Sequence, residues 1–159
     1  MTRLTKFDGA TLTVSLTEDI TIDSRDYGSS QTVEIPSIVD ITRRIVTITT
    51  TETTIATFSA AVGAGGYIAG NVMYIRFTNL DDTNFVTLTF RNQDNDEVAI
   101  KVDRGKSLLL MASDEGMAAM FNATEDADAD SHANVGSLTN IQAHAQGGSV
   151  DIEMYIACK

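Results

Sequence analysis

Apolar and polar residues alternate along residues 71–90, NVMYIRFTNLDDTNFVTLTF. Every second residue is apolar in two runs, and turn-forming residues at 80–84 separate them. Two runs of period two around a turn predict a β-hairpin, and residues 98–102 predict a third strand after it. The apolar positions are Met73, Ile75, Phe77, Val86, Leu88 and Phe90.

The same alternation recurs on both sides of this segment. Residues 1–24 predict one or two strands, and residues 43–58 are rich in Thr, Ile and Val, which suit a pleated surface. Residues 139–156 predict a second hairpin that turns at 146–149. Pro36 cannot donate to a β-ladder, so residues 32–41 predict an edge strand or an extended arm.

Other segments interrupt the strand pattern. The polar residues 25–30 predict a loop, and the glycine-rich residues 59–70 predict a mobile or tightly turned connection. One short helix is predicted near Ala118, followed by a long exposed loop at 124–136. Eight to ten short strands with at most one short helix indicate an all-β antiparallel sandwich or barrel, and a jelly roll is one topology that fits.

Composition narrows the classes of partner. The chain has 159 residues, which is the size of a single domain over 1–159. Its net charge of −11 disfavours binding to nucleic acid or to an anionic membrane, since both need a basic patch. No apolar run approaches the roughly 18–20 residues that span a bilayer. Cys158 is the single cysteine, which excludes an intrachain disulfide and a multi-cysteine metal site.

Acidic residues give one candidate for a metal site. Asp126, Asp128 and Asp130 stand at alternate positions, as in a calcium-binding loop that supplies several oxygen ligands. Ser131 and Ser137 replace the glycine and the bidentate glutamate of that loop, which favours a solvated acidic loop instead. The acids at 94, 96 and 97 fit a turn, where Asp and Asn serve the backbone.

No arrangement of residues predicts catalysis or cofactor binding. His132 and His144 are the two histidines, and neither has a nucleophile or a ligand cluster near it in the sequence. The glycines at 63–66 lack the last glycine of the dinucleotide fingerprint, and Gly105-Lys106-Ser107 lacks the upstream glycine of a phosphate-binding loop. We therefore expect a non-enzymatic chain with no catalytic, cofactor or metal residues.

Two further groups of residues have both a functional and an ordinary interpretation. Arg43, Arg44 and the positive residues at 101–106 fit either a basic spot for an acidic partner or solvated strand ends. Tyr67, Tyr74 and Tyr155 could line a groove for sugars, although the chain has no tryptophan.

Three segments carry a resemblance to a known class of protein: YIRFTNLDDTNFVTLTF (74–90), VAIKVDRGKSLLLM (98–111) and SVDIEMYIACK (149–159). Over residues 70–159 the chain resembles small β proteins of tailed-bacteriophage virions, above all capsid decoration or cement proteins. The resemblance implies location in the virion, a homo-oligomer such as a trimer, and contacts with the major capsid protein or another virion protein. It assigns no role to any single residue.

On this interpretation, residues 1–40 are expected to include an extended arm that docks by strand addition. One alternative is a carbohydrate- or receptor-binding β-sandwich from a tail or a secreted protein. A second alternative, a cupin-like enzyme, would need several histidines near a glutamate, and this chain has two separated histidines.

Overall fold

A computed structural model of the chain describes residues 8–61, 63, 66–92, 95, 97–112, 116–119 and 138–159. The described residues contain no α-helix, and their two short 3-10 helices span Ala69–Asn71 and Gly116–Ala119. In the described ranges ten strands have five residues or more, which confirms the predicted all-β class. The strands are β1 Ala10–Glu18, β2 Thr21–Ile22, β3 Arg25–Asp26, β4 Ser29–Ile38, β5 Asp40–Ile48, β6 Thr53–Ser59, β7 Tyr67–Ile68, β8 Val72–Asn79, β9 Val86–Asn92, β10 Glu97–Val102, β11 Ser107–Met111, β12 Leu138–Ala145 and β13 Val150–Cys158.

The chain forms two compact units, Met1–Asp40 together with Lys159, and Ile41–Cys158. The prediction of a single domain over residues 1–159 stays a prediction. We call residues 10–38 the ribbon, because they form one antiparallel two-stranded structure, and residues 41–158 the sandwich.

The ribbon is a single long hairpin. β1 pairs with β4, and β2 pairs with β3 in the same register, so the pairing continues almost without a break from the open end to the turn. The turn residues Asp23 and Ser24 have φ values of 51° and 63°, as expected for the two-residue turns whose twist matches that of paired strands. Near the open end Pro36 and Ser37 lie at a register shift, where a missing N–H costs no ladder bond.

The sandwich contains a four-stranded sheet in the order β11-β8-β13-β5 and a five-stranded sheet in the order β10-β9-β12-β6-β7. Without the two-residue β7, the eight strands can be lettered B to I in chain order. The sheets then read G-D-I-B and F-E-H-C, which is the strand order of a jelly roll. The resolved topology therefore agrees with the jelly roll that the strand pattern allowed.

The core lies between the two sheets. The ring of Phe77 on β8 approaches that of Phe90 on β9 edge-on, with centroids 6.5 Å apart. Because these strands belong to different sheets, the contact joins the two layers. Fully buried residues on both sheets surround it, including Ile75, Leu88, Leu138, Ile141, Ile152, Met154 and Ile156.

Both hairpins predicted within the sandwich are wrong in their pairing, although their strands are present. β8 pairs with β11 and β13, whereas β9 pairs with β10 and β12, so residues 80–85 cross from one sheet to the other. β12 and β13 are likewise separated into different sheets. Alternation fixes which side of a strand is buried, but it does not fix which strand lies beside it.

The predicted loop at residues 25–30 is also wrong, since β3 and the start of β4 occupy most of it. The predicted short helix is a 3-10 helix that begins at Gly116 with φ +61°. A Cβ at Gly116 would lie 2.6 Å from the carbonyl oxygen of Gly70, so glycine permits both the backbone conformation and the close approach. Residues 113–115 and 120–137, which include the predicted loop at 124–136, lie outside the described residues.

Candidate functional site

The ribbon has one apolar face. Its continuous register places the even-numbered residues of the first strand and their odd-numbered partners on the same side. Glu18 and Arg25 are the two charged residues at these positions. The apolar members are Leu12, Val14, Leu16, Ile20, Ile22, Tyr27, Val33 and Ile35.

Exposure on this face increases toward the turn. Ile35 is buried and Leu12, Val14 and Val33 are half-buried, whereas four large side chains beyond them are open to solvent. Their exposed fractions lie between 49% and 59%, which is high for neighbouring apolar residues on one face. The four are Leu16, Ile20, Ile22 and Tyr27.

Hydroxyl and acidic residues cover the opposite face of the ribbon. The hydroxyls of Ser15 and Thr32 lie 3.3 Å apart across the two strands, and those of Thr17 and Ser30 form an equivalent pair. These exposed pairs contribute little stability individually, and an isolated two-stranded hairpin is marginally stable in water. The ribbon therefore has a strongly amphipathic structure with little stabilising contact on its apolar tip.

A second amphipathic surface is the outer face of the four-stranded sheet. Glu153 on β13 accepts hydrogen bonds from Arg43 on β5 and from Arg76 on β8 through different carboxylate oxygens. These bonds, with that from Arg43 the larger cause, hold the pKa of Glu153 below its ordinary value. The guanidinium of Arg76 also lies 5.8 Å from the centroid of the Tyr155 ring.

Apolar side chains flank this ion-pair cluster on both edges of the sheet. Ile41 and Ile45 lie on β5, and Leu109 and Met111 lie on β11, in register with Arg76 and Tyr74 of β8. Each of the four has at least 38% of its surface exposed. The outer face therefore combines a polar centre with exposed apolar margins.

The three tyrosines considered for a sugar groove do not come together. Tyr74 and Tyr155 pack edge-on in the four-stranded sheet, with centroids 5.8 Å apart. Burial is the main cause of the raised pKa of Tyr74. Tyr67 belongs to the five-stranded sheet, where its ring lies 5.7 Å from that of Phe58.

Tyr67 instead lies at a polar cavity of ≈ 360 Å³. Arg44 enters the same cavity and donates from Nη2 to the carbonyl oxygen of Ile55 at 2.8 Å. Two threonines, Thr54 and Thr57, also line this cavity. The lining residues are Arg44, Thr54, Ile55, Ala56, Thr57, Gly66 and Tyr67.

Lys101 is the member of the second positive group whose side chain has defined partners. Lys101 forms an ion pair with Asp103 at 2.9 Å, and its ammonium lies 4.4 Å from the centroid of the Phe85 ring. The backbone N–H of Lys106 donates to the carbonyl oxygen of Asp103, and Gly105 has a φ of +66°. The predicted turn at Gly105-Lys106 is thus confirmed.

The predicted metal candidates fall largely outside the described residues. Asp126, Asp128, Asp130, His132, Asp94 and Asp96 all lie there. Glu97 is described, and it binds Arg91 on the neighbouring strand. Within the described ranges, no group of three or more His, Cys, Asp or Glu side chains could hold a metal ion.

His144 lies half-buried on β12, opposite Thr87 of β9, on the outer side of the five-stranded sheet. Asn140 and Gln142 share this side of β12. Their side-chain oxygens are buried without a hydrogen-bond partner among the described residues. Within the described residues, no hydrogen bond joins the His144 side chain to a nucleophile.

Sequence reasoning missed two features of these surfaces. The grouping of Arg43, Arg76 and Glu153 depends on strand order, and each residue looks like an ordinary outward charge in its own strand. The amphipathic ribbon was partly hidden because residues 25–30, which contain β3 and the start of β4, predicted a loop. The signal that could have revealed it is the alternation of apolar and polar residues in Ser29–Ile38, which matches the alternation in β1.

A comparison with protein-family models and one with curated proteins found no match. No helix in the described portion is both long enough and apolar enough to span a membrane.

Proposed function

We propose that this chain is a non-enzymatic structural protein of a tailed-phage virion, which decorates or cements the capsid through protein–protein contacts. The observation that carries the proposal is the amphipathic ribbon. Its hydrogen bonds organise a polar face, while Leu16, Ile20, Ile22 and Tyr27 form an apolar face that is open at the turn end. Such a face is a feature of surfaces that bind other proteins.

The ribbon suits docking for a second reason. Among the described residues, β1 and β4 pair only with each other, so each of these long strands pairs on one side. The opposite backbone edge of each strand is therefore available for strand addition. Docking through side chains and backbone together would order a segment that gains little stability by itself.

The strand order of the sandwich is compatible with this proposal. Jelly rolls occur in viral capsid proteins, lectins and cupins, so the topology is compatible with several functions. The net charge of −11 favours a soluble protein that does not bind the packaged nucleic acid. A closed oligomer such as a trimer would present several ribbons at once and raise the strength of attachment.

The proposal can be tested with shells assembled from the major capsid protein of the phage that supplies the chain. We expect the intact chain to sediment with these shells in a fixed ratio. The double substitution Ile20→Asp and Ile22→Asp should reduce bound chain at least tenfold, because it places charge on the docking face.

The matched control is the double substitution Thr17→Asp and Thr21→Asp on the polar face. It adds the same charge to the same arm of the ribbon hairpin, and we expect it to retain most binding. Equal binding by both variants, with unchanged circular dichroism, would exclude the apolar face as the docking surface. Failure of the intact chain to bind would contradict the capsid role itself.

The alternative function, carbohydrate or receptor binding, is favoured by one observation, the cavity beside Tyr67. An aromatic ring, a guanidinium and hydroxyl groups can contact the apolar and polar sides of a sugar. Tyr74 and Tyr155 do not line this cavity with Tyr67, because they lie on the other sheet.

A glycan array provides the test of this alternative. Binding that is lost in Tyr67→Ala and kept in Tyr155→Ala would establish the cavity as a sugar site. Tyr74→Ala is unsuitable, because Tyr74 is buried and its removal would affect folding. No binding by the intact chain would reject the alternative.

A further inference from the structure

We propose that the cavity beside Tyr67 binds an acidic sugar, and that Arg44 contacts the carboxylate or sulfate group of that sugar. The inference goes beyond the capsid role, and it specifies the ligand class for the cavity on which the alternative function depends. All the residues that line the cavity belong to the sandwich, so the site is separate from the ribbon.

Arg44 is directed toward the space between the two sheets. It alternates along β5 with Val46, which packs against the core, and with Ile48, which is buried. Its neighbour Arg43 points to the opposite side of the strand, where it binds Glu153. Because β5 is an edge strand, the Arg44 guanidinium lies at an edge of the sandwich, and its hydrogen bond to β6 crosses from one sheet to the other.

A β-bulge in β6 provides the carbonyl group that holds Arg44. The register of β6 with β12 shifts between Ile141 and Gln142, which leaves Ile55 without a residue opposite it. The extra residue of a bulge is unpaired in the ladder, and here Arg44 donates to its carbonyl oxygen from Nη2 at 2.8 Å. The guanidinium is therefore positioned before a ligand arrives, which lowers the entropy cost of binding.

Within the described residues, no carboxylate neutralises the charge of Arg44. The strands of the sandwich carry four arginines, and the other three each bind a glutamate, whereas Arg44 binds a backbone carbonyl. The pairs with glutamate are Arg43 and Arg76 with Glu153, and Arg91 with Glu97. A guanidinium has five N–H donors, so Arg44 retains donors for a ligand.

The lining of the cavity has the same sign of charge. None of the described residues that line it is an Asp or a Glu, although the chain has 22 acidic residues against 11 basic ones. The cavity is therefore a positive site on an acidic protein. Carboxylate and sulfate groups are ligands that a guanidinium binds through charge-assisted hydrogen bonds.

The remaining features of the cavity favour a sugar over a simple anion or an acidic peptide. Tyr67 brings an aromatic side chain, supported by Phe58 at a centroid distance of 5.7 Å, and two threonines are among the lining residues. The volume of ≈ 360 Å³ is in the range of small-molecule sites. A sugar ring fills such a volume, whereas an inorganic anion fills little of it and an extended peptide would enter it with one side chain.

A glycan array printed with matched pairs tests the inference. The pairs are oligogalacturonate and its methyl ester, sialyllactose and lactose, and sulfated and unsulfated lactose. We expect the full chain to bind the acidic member of at least one pair about tenfold more strongly than the neutral member. The pair that responds identifies carboxylate or sulfate as the recognised group.

Substitution of Arg44 tests its role in that preference. Arg44→Gln should lower the ratio of acidic to neutral binding to about one, because glutamine keeps an amide donor but has no charge. This ratio does not depend on the folded fraction of the variant. Arg44→Lys keeps the charge and should retain part of the preference. The matched control is Arg43→Gln, which removes the same charge from the outer face and should leave the ratio unchanged.

Four results would overturn the inference. These are an intact chain that binds no glycan, equal binding of both members of every pair, an unchanged ratio in Arg44→Gln, and competition by a poly-glutamate peptide that equals competition by the acidic glycan. The last result would assign the cavity to an acidic peptide.

Shell binding separates this inference from the proposed function. A chain that binds capsid shells and no acidic glycan contradicts the inference and leaves the capsid role standing. A chain that binds an acidic glycan through Arg44 and no shell contradicts the capsid role and leaves the inference standing. The ribbon variant with Ile20→Asp and Ile22→Asp should bind the same glycans as the intact chain.

Discussion

Asn79 at the end of β8 donates a hydrogen bond from Nδ2 to the backbone carbonyl of Val102 at the end of β10, at 3.1 Å. These strands belong to different sheets, so a single buried amide joins the two layers at one end of the sandwich. The same Nδ2 also donates to the carbonyl of Asn84, and Oδ1 accepts from the N–H of Asp81.

Asn79→Ala should therefore destabilise the sandwich substantially. It leaves two carbonyl groups and one N–H without their partner, and each unpaired buried group costs about 1–3 kcal/mol. Solvent can reach part of the 80–85 connection and satisfy some of these groups. We therefore expect the free energy of unfolding, measured in urea, to fall by about 2–4 kcal/mol. The exposed substitution Asp82→Ala serves as a control, and an equal effect there would contradict this account.

Phe77→Ala should lower the free energy of unfolding by about 3–5 kcal/mol, because it removes a buried ring that packs against Phe90 between the sheets. Phe77→Leu retains most of the volume and should cost less. Val98→Ala, at an exposed position, should change the free energy of unfolding by no more than about 0.5 kcal/mol. Comparable losses for Phe77→Ala and Val98→Ala would show that the two sheets do not share this core.

Glu153→Gln should destabilise the chain by about 1 kcal/mol at neutral pH, since Arg43 and Arg76 lose a charged acceptor near the surface. The pKa of Glu153 is depressed in the folded chain from an ordinary value of 4.5. Its stabilising contribution is therefore complete above pH 4.5 and is lost as the pH falls through the folded-state value.

The difference between the native chain and Glu153→Gln should accordingly close in acid. Unfolding curves at several pH values measure it, with Glu34→Gln on the ribbon as a control for the loss of one acidic charge. A difference that stayed constant down to strongly acidic pH would exclude the ion pairs as its cause.

Gly116→Ala and Gly105→Ala form a matched pair. Both glycines have positive φ, +61° and +66°, so alanine at either position incurs about 1–2 kcal/mol of backbone strain. A Cβ at Gly116 also meets the backbone of Gly70 at 2.6 Å, whereas a Cβ at Gly105 meets nothing within 4 Å.

Gly116→Ala should therefore lower the free energy of unfolding by at least 1 kcal/mol more than Gly105→Ala. Thermal or urea unfolding of the two variants gives the comparison. Equal losses would mean that Gly116 is required for its φ alone, and that the approach to Gly70 relaxes at little cost.

The strands of the sandwich were predictable because one side of each faces the core. Ile75 and Phe77, for example, alternate with Arg76 and Thr78 as the sequence indicates. Their neighbours were not predictable, because a short connection of residues such as 80–85 can close a hairpin or cross between layers. The choice depends on long-range pairing with β11 and β13.

The same limitation applies to the candidate surfaces. Arg44 and Tyr67 stand 23 residues apart. The hydrogen bond from Arg44 to Ile55 on β6 and the pairing of β6 with β7 bring them to one cavity. In the ribbon, Asp26 and Gly28 resemble loop residues, yet the carboxylate of Asp26 accepts a hydrogen bond from the N–H of Gly28 at 2.8 Å within the hairpin. Local composition could not distinguish these cases.

The position of β5 has a consequence for how the chain reaches its native state. β5 lies at an edge of its sheet, and its neighbour there is β13, about 100 residues further along the chain. Closing so long a loop is slow, since the entropy is lost before the contacts form. Until then the Ile-, Val- and Thr-rich β5 lacks its partner strand, and the charges of Arg43 and Arg44 oppose its misassembly with other strands during that time.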